Sequence, residues 1–463
     1  MNAFCFRKMM LVLAALPMAI LSLHAQEKNY TLLALVDSAK INFPELQRKN
    51  AQLSAAKATV ADTRNLYLPS MRLNEQVNLS TDNSLAGSYL SFGMIPSTSA
   101  GVRAENNSQS TTGNIAILQS QYDLVDFGFR KAQMNRAQSY VDLQQADLQK
   151  EQYYLQMQIA RWYFLLLKSQ TKLKADAENI KRYESIFNVI KAVTESGIRA
   201  GSDSSLAKAE LSRTKITYNQ NRGQVDNYKI QLAWLTGIAA EKINIDSAAL
   251  KDVTANAIFL GGTKDSAANP LLDYYKRLKN MAVANEKLIA KSFLPKIVLT
   301  AAGWARGSSI AFNDQYKSLG NGLAFQRFNY LAGFSFQYDL FNDIRKRTRL
   351  NAYKFETAAS DLALQGQQLA LSNAAHQADN DIQTTERNLA ELPVQLTAAQ
   401  DTYKQKIAQY KAGIINVVDL TNAAYVLYRS MNDYAETLGD WYLAQLDKAV
   451  ATGNLDAFIQ AIK

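Results

Sequence analysis

The sequence predicts a mixed α+β fold that is mainly α-helical and is built from two copies of one structural unit. Three observations support this prediction. The chain resembles itself at a constant offset, and each copy contains two segments in which apolar and polar residues alternate. Each copy then continues into a very long helical stretch and a return helix with apolar residues at intervals of seven. Alternation is the period of a half-buried strand, and intervals of seven are typical of packed helices.

Short identical segments show that the chain is internally duplicated. The segment QYDL at residues 121–124 recurs at residues 337–340, an offset of 216 residues. The same offset relates three further pairs: Gly197 and Gly413, Asp203 and Asp419, and Thr236 and Thr452. A chance match would not keep one offset over more than 100 residues. The matches divide the chain into a signal peptide (1–25), a first repeat (26–237), a linker (238–262), a second repeat (263–453) and a C-terminal tail (454–463).

The first 25 residues have the composition of a secretory signal peptide. Arg7 and Lys8 are positively charged, residues 9–23 are apolar, and Ala25 is a small residue of the kind that precedes cleavage. The apolar run is too short for a membrane-spanning helix. The only cysteine, Cys5, would be removed with this segment, so we expect a mature chain without disulfides or thiolate metal sites.

Residues that could support catalysis are sparse. His376 is the only histidine beyond residue 25 and lies in a polar helical stretch, where we expect an ordinary surface residue. One histidine cannot build a multi-histidine metal site, and no phosphate-binding glycine loop is present. The net charge of +10 falls to +8 without Arg7 and Lys8, and an exported protein rarely meets nucleic acid. The sequence therefore predicts no enzyme, no cofactor, no metal site and no nucleic-acid partner.

Each copy opens with a helix that ends at a Leu-Pro pair and continues as a strand. In the first copy the helix begins after Pro44 and must stop near Leu68, because the residue before a proline avoids the helical conformation. Beyond Pro69 the apolar residues Met71, Leu73, Val77 and Leu79 alternate with Arg72, Asn74, Gln76 and Asn78. This alternation predicts a strand with one apolar face. A polar loop (80–113) and a second strand (114–124) follow.

The second copy carries the more aromatic strand. Its apolar side chains share one face: Phe328, Tyr330, Ala332, Phe334, Phe336, Tyr338 and Leu340. Strands of about ten residues with one apolar face fit a transmembrane β-strand, and the alternative is a water-soluble sheet packed on the helices. Four strands cannot close a membrane barrel alone, so two, three or four chains would have to combine. The loops 80–113 and 305–328 would then face the cell exterior.

Two very long helical stretches follow the strand pairs, at about 130–194 and 344–410. Either would reach roughly 100 Å if continuous, and Pro393 is expected to interrupt the second and to kink it there. Each stretch turns at a glycine and returns as another helix. The last return helix has apolar or small residues at sustained heptad spacing: Leu420, Ala424, Leu427, Met431, Tyr434, Leu438 and Trp441. This spacing predicts coiled-coil packing.

The duplicated order of elements resembles the outer membrane efflux proteins of the TolC family. The resemblance covers essentially the whole mature chain and rests on the Leu-Pro pairs, on the segments QYDLVDFG and QYDLFND, and on the turns at 200–203 and 412–419. It implies an outer-membrane homotrimer with a 12-stranded transmembrane β-barrel and a periplasmic α-barrel of long helical hairpins.

In function, the resemblance implies a passive exit duct for drugs, other small molecules or proteins. Its partners would be a periplasmic adaptor (membrane fusion) protein and an inner-membrane pump of the RND, ABC or MFS type. The alternative is a periplasmic coiled-coil structural or adaptor protein without a barrel. That alternative explains the helices but leaves the aromatic strands without a role.

The resemblance also implies a gate at the periplasmic tip. The implied gate residues are Asp203, Tyr410, Asp419 and Asn422, and the turn glycines Gly197, Gly201 and Gly413 mark the tips. Asn422 stands where the best-known member has an acidic residue, and Ile415 where it has an arginine. For Asp203 the alternative role is an N-cap of the return helix.

Two basic clusters occupy matching positions at the start of the long helices. They consist of Arg130 and Lys131 in the first copy and of Arg345, Lys346 and Arg347 in the second. Cations at a helix N-terminus oppose the helix dipole, so a compensating partner is expected. Anionic headgroups of outer-membrane lipid at the rim of the barrel would serve. The alternative is ordinary solvated charge.

Overall fold

The computed structural model describes residues 29–85, 101–197, 200–245 and 269–462, so the predicted signal peptide lies outside the described residues. The described helices are α1 Leu32–Asn42, α2 Pro44–Asn65, α3 Phe129–Glu195, α4 Gly201–Thr236, α5 Pro270–Ser292, α6 Asn342–Lys411, α7 Val417–Thr452 and α8 Leu455–Ala461. The described strands are β1 Ser70–Ser80, β2 Ser84–Leu85, β3 Gly101–Val102, β4 Thr111–Val125, β5 Lys296–Ser308 and β6 Arg327–Gln337. None of these helices combines the length and the apolar character that crossing a membrane requires.

The order of helix, strand, strand, long helix and return helix occurs twice. It runs first through α2, β1, β4, α3 and α4, and then through α5, β5, β6, α6 and α7. The long helices α3 and α6 contain 67 and 70 residues. The predicted mainly helical α+β fold is therefore confirmed, while the boundaries of the two repeats stay a prediction.

Two details of the sequence prediction are wrong. β6 ends at Gln337, so Tyr338 and Leu340 lie beyond the strand. The Asp339 carboxylate accepts a hydrogen bond from the backbone N–H of Phe341 at 3.0 Å, and this turn leads into α6. Pro393 lies inside α6 without interrupting it, and the kink at this position stays a prediction. Proline removes one N–H donor, and the other hydrogen bonds of this long helix keep it continuous.

The chain forms two compact units. Among the described residues, the helical unit comprises 29–43, 154–197, 200–245 and 374–462. Its core contains a cluster of buried aromatic rings, in which Phe164 stacks on Tyr442 at 5.2 Å between centroids and lies 5.8 Å from Phe458. The hydroxyl of Ser38 donates to the carbonyl of Thr236 at 3.0 Å and so ties α1 to the end of α4.

Among the described residues, the sheet unit comprises 44–85, 101–153 and 269–373. Its four long strands form an antiparallel sheet in the order β1-β4-β5-β6, so β1 and β6 are the edges. Ion pairs join the helices that flank the strands. Lys49 of α2 and Lys150 of α3 both contact Asp147, and Lys279 of α5 lies 2.7 Å from Asp361 of α6.

Candidate functional site

The register of the sheet sorts its side chains onto two faces of different character. Paired residues on neighbouring antiparallel strands share a face, and successive residues along one strand alternate. The pairings Leu73–Leu118, Leu118–Gly303 and Gly303–Tyr330 therefore follow one face across all four strands. We call it the apolar face. Its large side chains are Met71, Leu73, Val77 and Leu79 of β1, Leu118 and Tyr122 of β4, Ile297 and Leu299 of β5, and Phe328, Tyr330, Phe334 and Phe336 of β6.

The apolar face is widely exposed. Tyr330 exposes 89% and Phe334 72% of their surface, and β1 is exposed at every residue. In water-soluble domains the apolar face of a sheet packs against a second layer. Glu75 is the one charged residue of the described strands on this face. Its carboxylate lies 3.4 Å from the amide nitrogen of Asn114, which also donates to the carbonyl of Leu323 at 2.9 Å.

The opposite face of the sheet is rich in amides and charges, and we call it the polar face. It carries every basic residue of the four strands. Its polar side chains are Arg72, Asn74, Gln76, Asn78, Gln119, Gln121, Asp123, Lys296, Thr300, Arg306, Arg327, Asn329, Ser335 and Gln337. A few apolar residues, such as Trp304, lie among them. This composition suits contact with water rather than with lipid.

The turn between α6 and α7 is closed by Gly413. Gly413 has φ +77°, the left-handed conformation that commonly ends a helix, and its N–H donates to the carbonyl of Tyr410 at 3.0 Å. Asn416 caps α7 by accepting a hydrogen bond from the N–H of Asp419 at 2.8 Å. Asp419 is exposed in the first turn of α7, where the helix dipole favours a carboxylate.

The turn between α3 and α4 is built differently. Gly197 follows α3 with φ +76°, whereas Gly201 is the first residue of α4 and has no positive φ. The N-cap of α4 is Ala200, so the alternative role of Asp203 as an N-cap is wrong. Asp203 is half-buried in the first turn of α4, where it also complements the helix dipole.

Tyr410 is packed in the core of the helical unit. It is 2% exposed and belongs to a cluster with Tyr183, Ile186, Ile190, Ala207, Val417, Leu420 and Ala424. Burial, with a smaller contribution from Glu210, raises the pKa of Tyr183 to about 12, so this phenol stays neutral. The ring of Tyr410 is therefore packed mainly against apolar side chains of α3, α4 and α7, and its role in a gate stays a prediction.

Asn422 lies on the exposed side of α7 and lines a groove of about 430 Å³ between α3, α4 and α7. The groove is polar on its α3 side. There the buried carboxylate of Asp176 accepts hydrogen bonds from the Tyr428 hydroxyl and the Asn221 amide, both at 2.7 Å. Burial and the neighbouring Asp176 raise the pKa of Tyr428. Asn422 thus faces a polar groove rather than the core that holds Tyr410.

Arg130 meets a compensating partner inside the sheet unit. Its Nε lies 2.7 Å from the Asp126 carboxylate, and its guanidinium donates to the carbonyl of Asp123 at 2.5 Å. The same guanidinium lies over the rings of Tyr67 and Tyr122, 5.1 and 5.0 Å from their centroids. Arg130 therefore has a compensating partner within the chain, since its largely buried side chain is ion-paired with Asp126, and its contact with lipid stays a prediction.

The second basic cluster is arranged differently. The counterpart of Asp126 is Asn342, whose amide donates to the carbonyl of Phe293 at 3.1 Å. Arg345 pairs instead with Asp339, with 2.5 Å between nitrogen and oxygen. Four cations of the two clusters are well or partly exposed and stay candidates for lipid contact: Lys131, Arg345, Lys346 and Arg347.

The Asp126–Arg130 pair fixes the junction between β4 and α3. Phe127 and Gly128 have φ of 49° and 88°, and this left-handed turn brings the Asp126 carboxylate back to the N–H groups of Gly128 and Arg130. Burial alone would raise the pKa of Asp126. The hydrogen bonds from Arg130 and from the backbone of Gly128 outweigh burial and hold the pKa below its ordinary value of 3.8.

We expect Asp126→Asn to lower the apparent melting temperature of the folded protein, because charged hydrogen bonds of this kind contribute about 1.5–3 kcal/mol. A depressed carboxyl pKa contributes stability above its unfolded value and loses it as pH falls through the folded value. The difference from wild type should therefore be full at neutral pH and shrink below pH 3.8. Thermal unfolding followed by circular dichroism measures it. Asp343→Asn, an exposed carboxylate in the first turn of α6, is the matched control, and an equal loss there would contradict this account.

The profile of the outer membrane efflux protein family matches residues 35–238 and 279–454. The chain belongs to this family. Outer membrane protein TolC of Escherichia coli (strain K12) is 21% identical to it over 463 residues, which cover 97% of this chain and 87% of TolC. Solved structures of similar fold include CusC (TM-score 0.77, 14% identity, 92% of each chain) and VceC of Vibrio cholerae (TM-score 0.73, 15% identity, 91% of this chain and 96% of VceC).

Membership of the outer membrane efflux protein family confirms the predicted outer-membrane location and the role in export. It also confirms the prediction that the chain is not an enzyme, because the family is one of transport proteins. Sequence reasoning missed Asp126 and the two tyrosines around Arg130. The spacing of four residues between Asp126 and Arg130 was the available signal, since such pairs meet on a helix or at its first turn.

Proposed function

We propose that the chain is the passive exit duct of a tripartite export system, in which three copies close a 12-stranded β-barrel in the outer membrane. The observation that carries the proposal is the sheet of the sheet unit. Its apolar face is exposed and aromatic, its other face is polar, and both edge strands, β1 and β6, are open. In a closed barrel the apolar face would contact the lipid outside, and the polar face would contact the water inside.

The open edges support closure by further copies of the chain. Unpaired strand edges are not tolerated in lipid, because each unsatisfied backbone group there costs several kcal/mol. Two copies would give eight strands, and side chains fill the interior of such a barrel. Three copies give twelve strands, which leave room for a water-filled duct. The likeness to TolC supports three copies rather than four. A coiled-coil protein without a barrel would leave the apolar face in water.

The long helices are proposed to form an α-barrel in the periplasm, with a gate at the turns between α3 and α4 and between α6 and α7. Asp203 and Asp419 each lie in the first turn of a return helix, beside Gly197, Gly201 and Gly413. The core around Tyr410 holds the four helices of these turns together. Around a threefold axis, Asp419 would form a ring of carboxylates, with Asn422 one turn along α7.

The proposed partners follow from the same likeness. A periplasmic adaptor protein would engage the helical turns and open the gate, and an inner-membrane pump of the RND, ABC or MFS type would supply cargo and energy. Outer-membrane lipid would contact the apolar face and four cations at the start of the long helices: Lys131, Arg345, Lys346 and Arg347. A duct of this kind carries drugs, other small molecules or proteins without chemistry of its own.

Mass measurement and conductance of the purified full chain test the proposal together. In detergent, light scattering should give the mass of three chains, and heating before electrophoresis should convert this species to monomer. In planar bilayers the same preparation should insert and conduct ions. A monomer that does not conduct would overturn the proposal. A dimer or a tetramer would overturn the barrel of twelve strands.

A further inference from the structure

Two arginines of the sheet unit stand directly opposite one another. Arg306 of β5 pairs with Arg327 of β6 in the sheet register, so both side chains lie on the polar face. Both are exposed. They lie at the end of the sheet where the loop between β5 and β6 begins, and the backbone N–H of Gln326 donates to the carbonyl of Arg306 at 2.9 Å.

Like charges at directly opposed positions destabilise a strand pair, because their Cβ atoms are only about 4.5–5.5 Å apart. A carboxylate between the two guanidinium groups would remove the repulsion. No carboxylate of the four described strands can do so. Asp123 lies at the opposite end of the sheet, 3.8 Å from Lys296, and Glu75 lies on the apolar face. In the loop between β5 and β6, Asp314 pairs with Arg103.

The rest of the polar face adds positive charge. Lys296 and Asp123 offset one another, which leaves Arg72, Arg306 and Arg327 as the uncompensated charges of the described strands on this face. Arg72 pairs in register with Gln119, so its immediate neighbour is neutral. In a water-filled duct with low-dielectric walls, such charges concentrate anions, since the walls focus the field.

We propose that Arg306 and Arg327 form a binding site for solutes with two or more negative charges, such as phosphate, sulfate or carboxylate groups, and that the duct thereby favours anionic cargo. The inference rests on the proposed function, in which the polar face lines the duct and threefold symmetry repeats the arginine pair around its mouth. Guanidinium groups bind such anions through two parallel hydrogen bonds, and two of them side by side match a multiply charged group.

Calorimetric titration of the purified full chain with inorganic tripolyphosphate tests the site. The wild type should bind, and binding should weaken as the salt concentration rises, because salt screens exposed charges. Arg306→Gln combined with Arg327→Gln should weaken binding at least about tenfold. Lys317→Gln is the matched control, since this exposed lysine of the same loop is outside the strands, and it should leave the affinity within about twofold of wild type.

Three outcomes would overturn the inference: no binding by the wild type, unchanged binding by the double variant, or an equal loss in the control. Retention of the heat-modifiable oligomer shows that the double variant is folded. Arg306→Lys combined with Arg327→Lys keeps the charge but not the paired hydrogen bonds, and should bind more weakly than wild type and more tightly than the glutamine variant.

A conductance experiment separates this inference from the proposed function. Tripolyphosphate added on the side of the β5–β6 loop should reduce the current through single wild-type channels but not through the double glutamine variant. If wild-type channels conduct and tripolyphosphate neither binds nor blocks, the anion site is wrong while the duct stands. If no channels form, the proposed function itself fails.

Discussion

Phe334→Arg is expected to abolish assembly of the protein in the outer membrane. Phe334 lies on the apolar face near the middle of β6, and it is 72% exposed in the single chain. An arginine facing lipid at the midplane of a β-barrel costs about 2–4 kcal/mol, less toward the interfaces. Three copies would carry that cost three times, which is comparable to the whole stability of a typical domain. The amount of heat-modifiable oligomer in isolated outer membranes measures the effect.

The neighbouring residue supplies the control. Ser335 is at nearly the same depth but lies on the polar face, because it pairs with Val298 whereas Phe334 pairs with Leu299. Ser335→Arg should assemble to near the wild-type level, since its side chain would reach water. If both variants lost the oligomer equally, or both assembled equally, the two faces of the sheet would not separate lipid from water.

The second large effect is expected at the helical turns. Tyr410→Ala should raise the single-channel conductance and the frequency of opening several-fold in planar bilayers. The ring of Tyr410 is 2% exposed in the cluster that joins the turns, and truncation of a buried aromatic ring to alanine costs about 3–5 kcal/mol. The cavity that remains would loosen the packing of α6 and α7 against α3 and α4.

Tyr410→Phe separates packing from hydrogen bonding. It keeps the ring and removes only the hydroxyl, so the packing account predicts conductance close to wild type. A gate held by a hydrogen bond of the Tyr410 hydroxyl to Asp203 would instead open in Tyr410→Phe and in Asp203→Ala. Opening of Tyr410→Phe to the level of Tyr410→Ala would contradict the packing account.

The elements with strong local patterns could be predicted from the sequence. The alternation from Met71 to Leu79 gave β1 correctly, and the Leu-Pro pair at Leu68 placed the end of α2 within a few residues. Both signals depend on neighbouring residues alone. The face of each strand residue also follows from alternation, so the polar face with Arg306 and Arg327 was within reach of the sequence, but their direct opposition required the register.

The contacts of the candidate site residues could not be predicted. The burial of Tyr410 depends on side chains that are more than 200 positions away in the sequence, such as Ile186. The partner of Arg130 depends on the left-handed turn at Phe127, a conformation that aromatic residues rarely adopt. Matching positions in the two copies also differ in detail, since Asn342 replaces the carboxylate of Asp126. A repeat in sequence therefore did not predict a repeat in contacts.

A cysteine scan along β6 tests the central claim most directly. In a Cys5→Ala background the chain has no other thiol, so single cysteines at positions 328–336 can be probed in intact outer membranes. Reactivity is expected to alternate from one position to the next along β6. Odd positions, on the polar face, should react with a water-soluble maleimide, and even positions, on the apolar face, should react only with a lipid-soluble one. Equal reaction of odd and even positions with the water-soluble reagent would contradict a sheet that separates lipid from a water-filled duct.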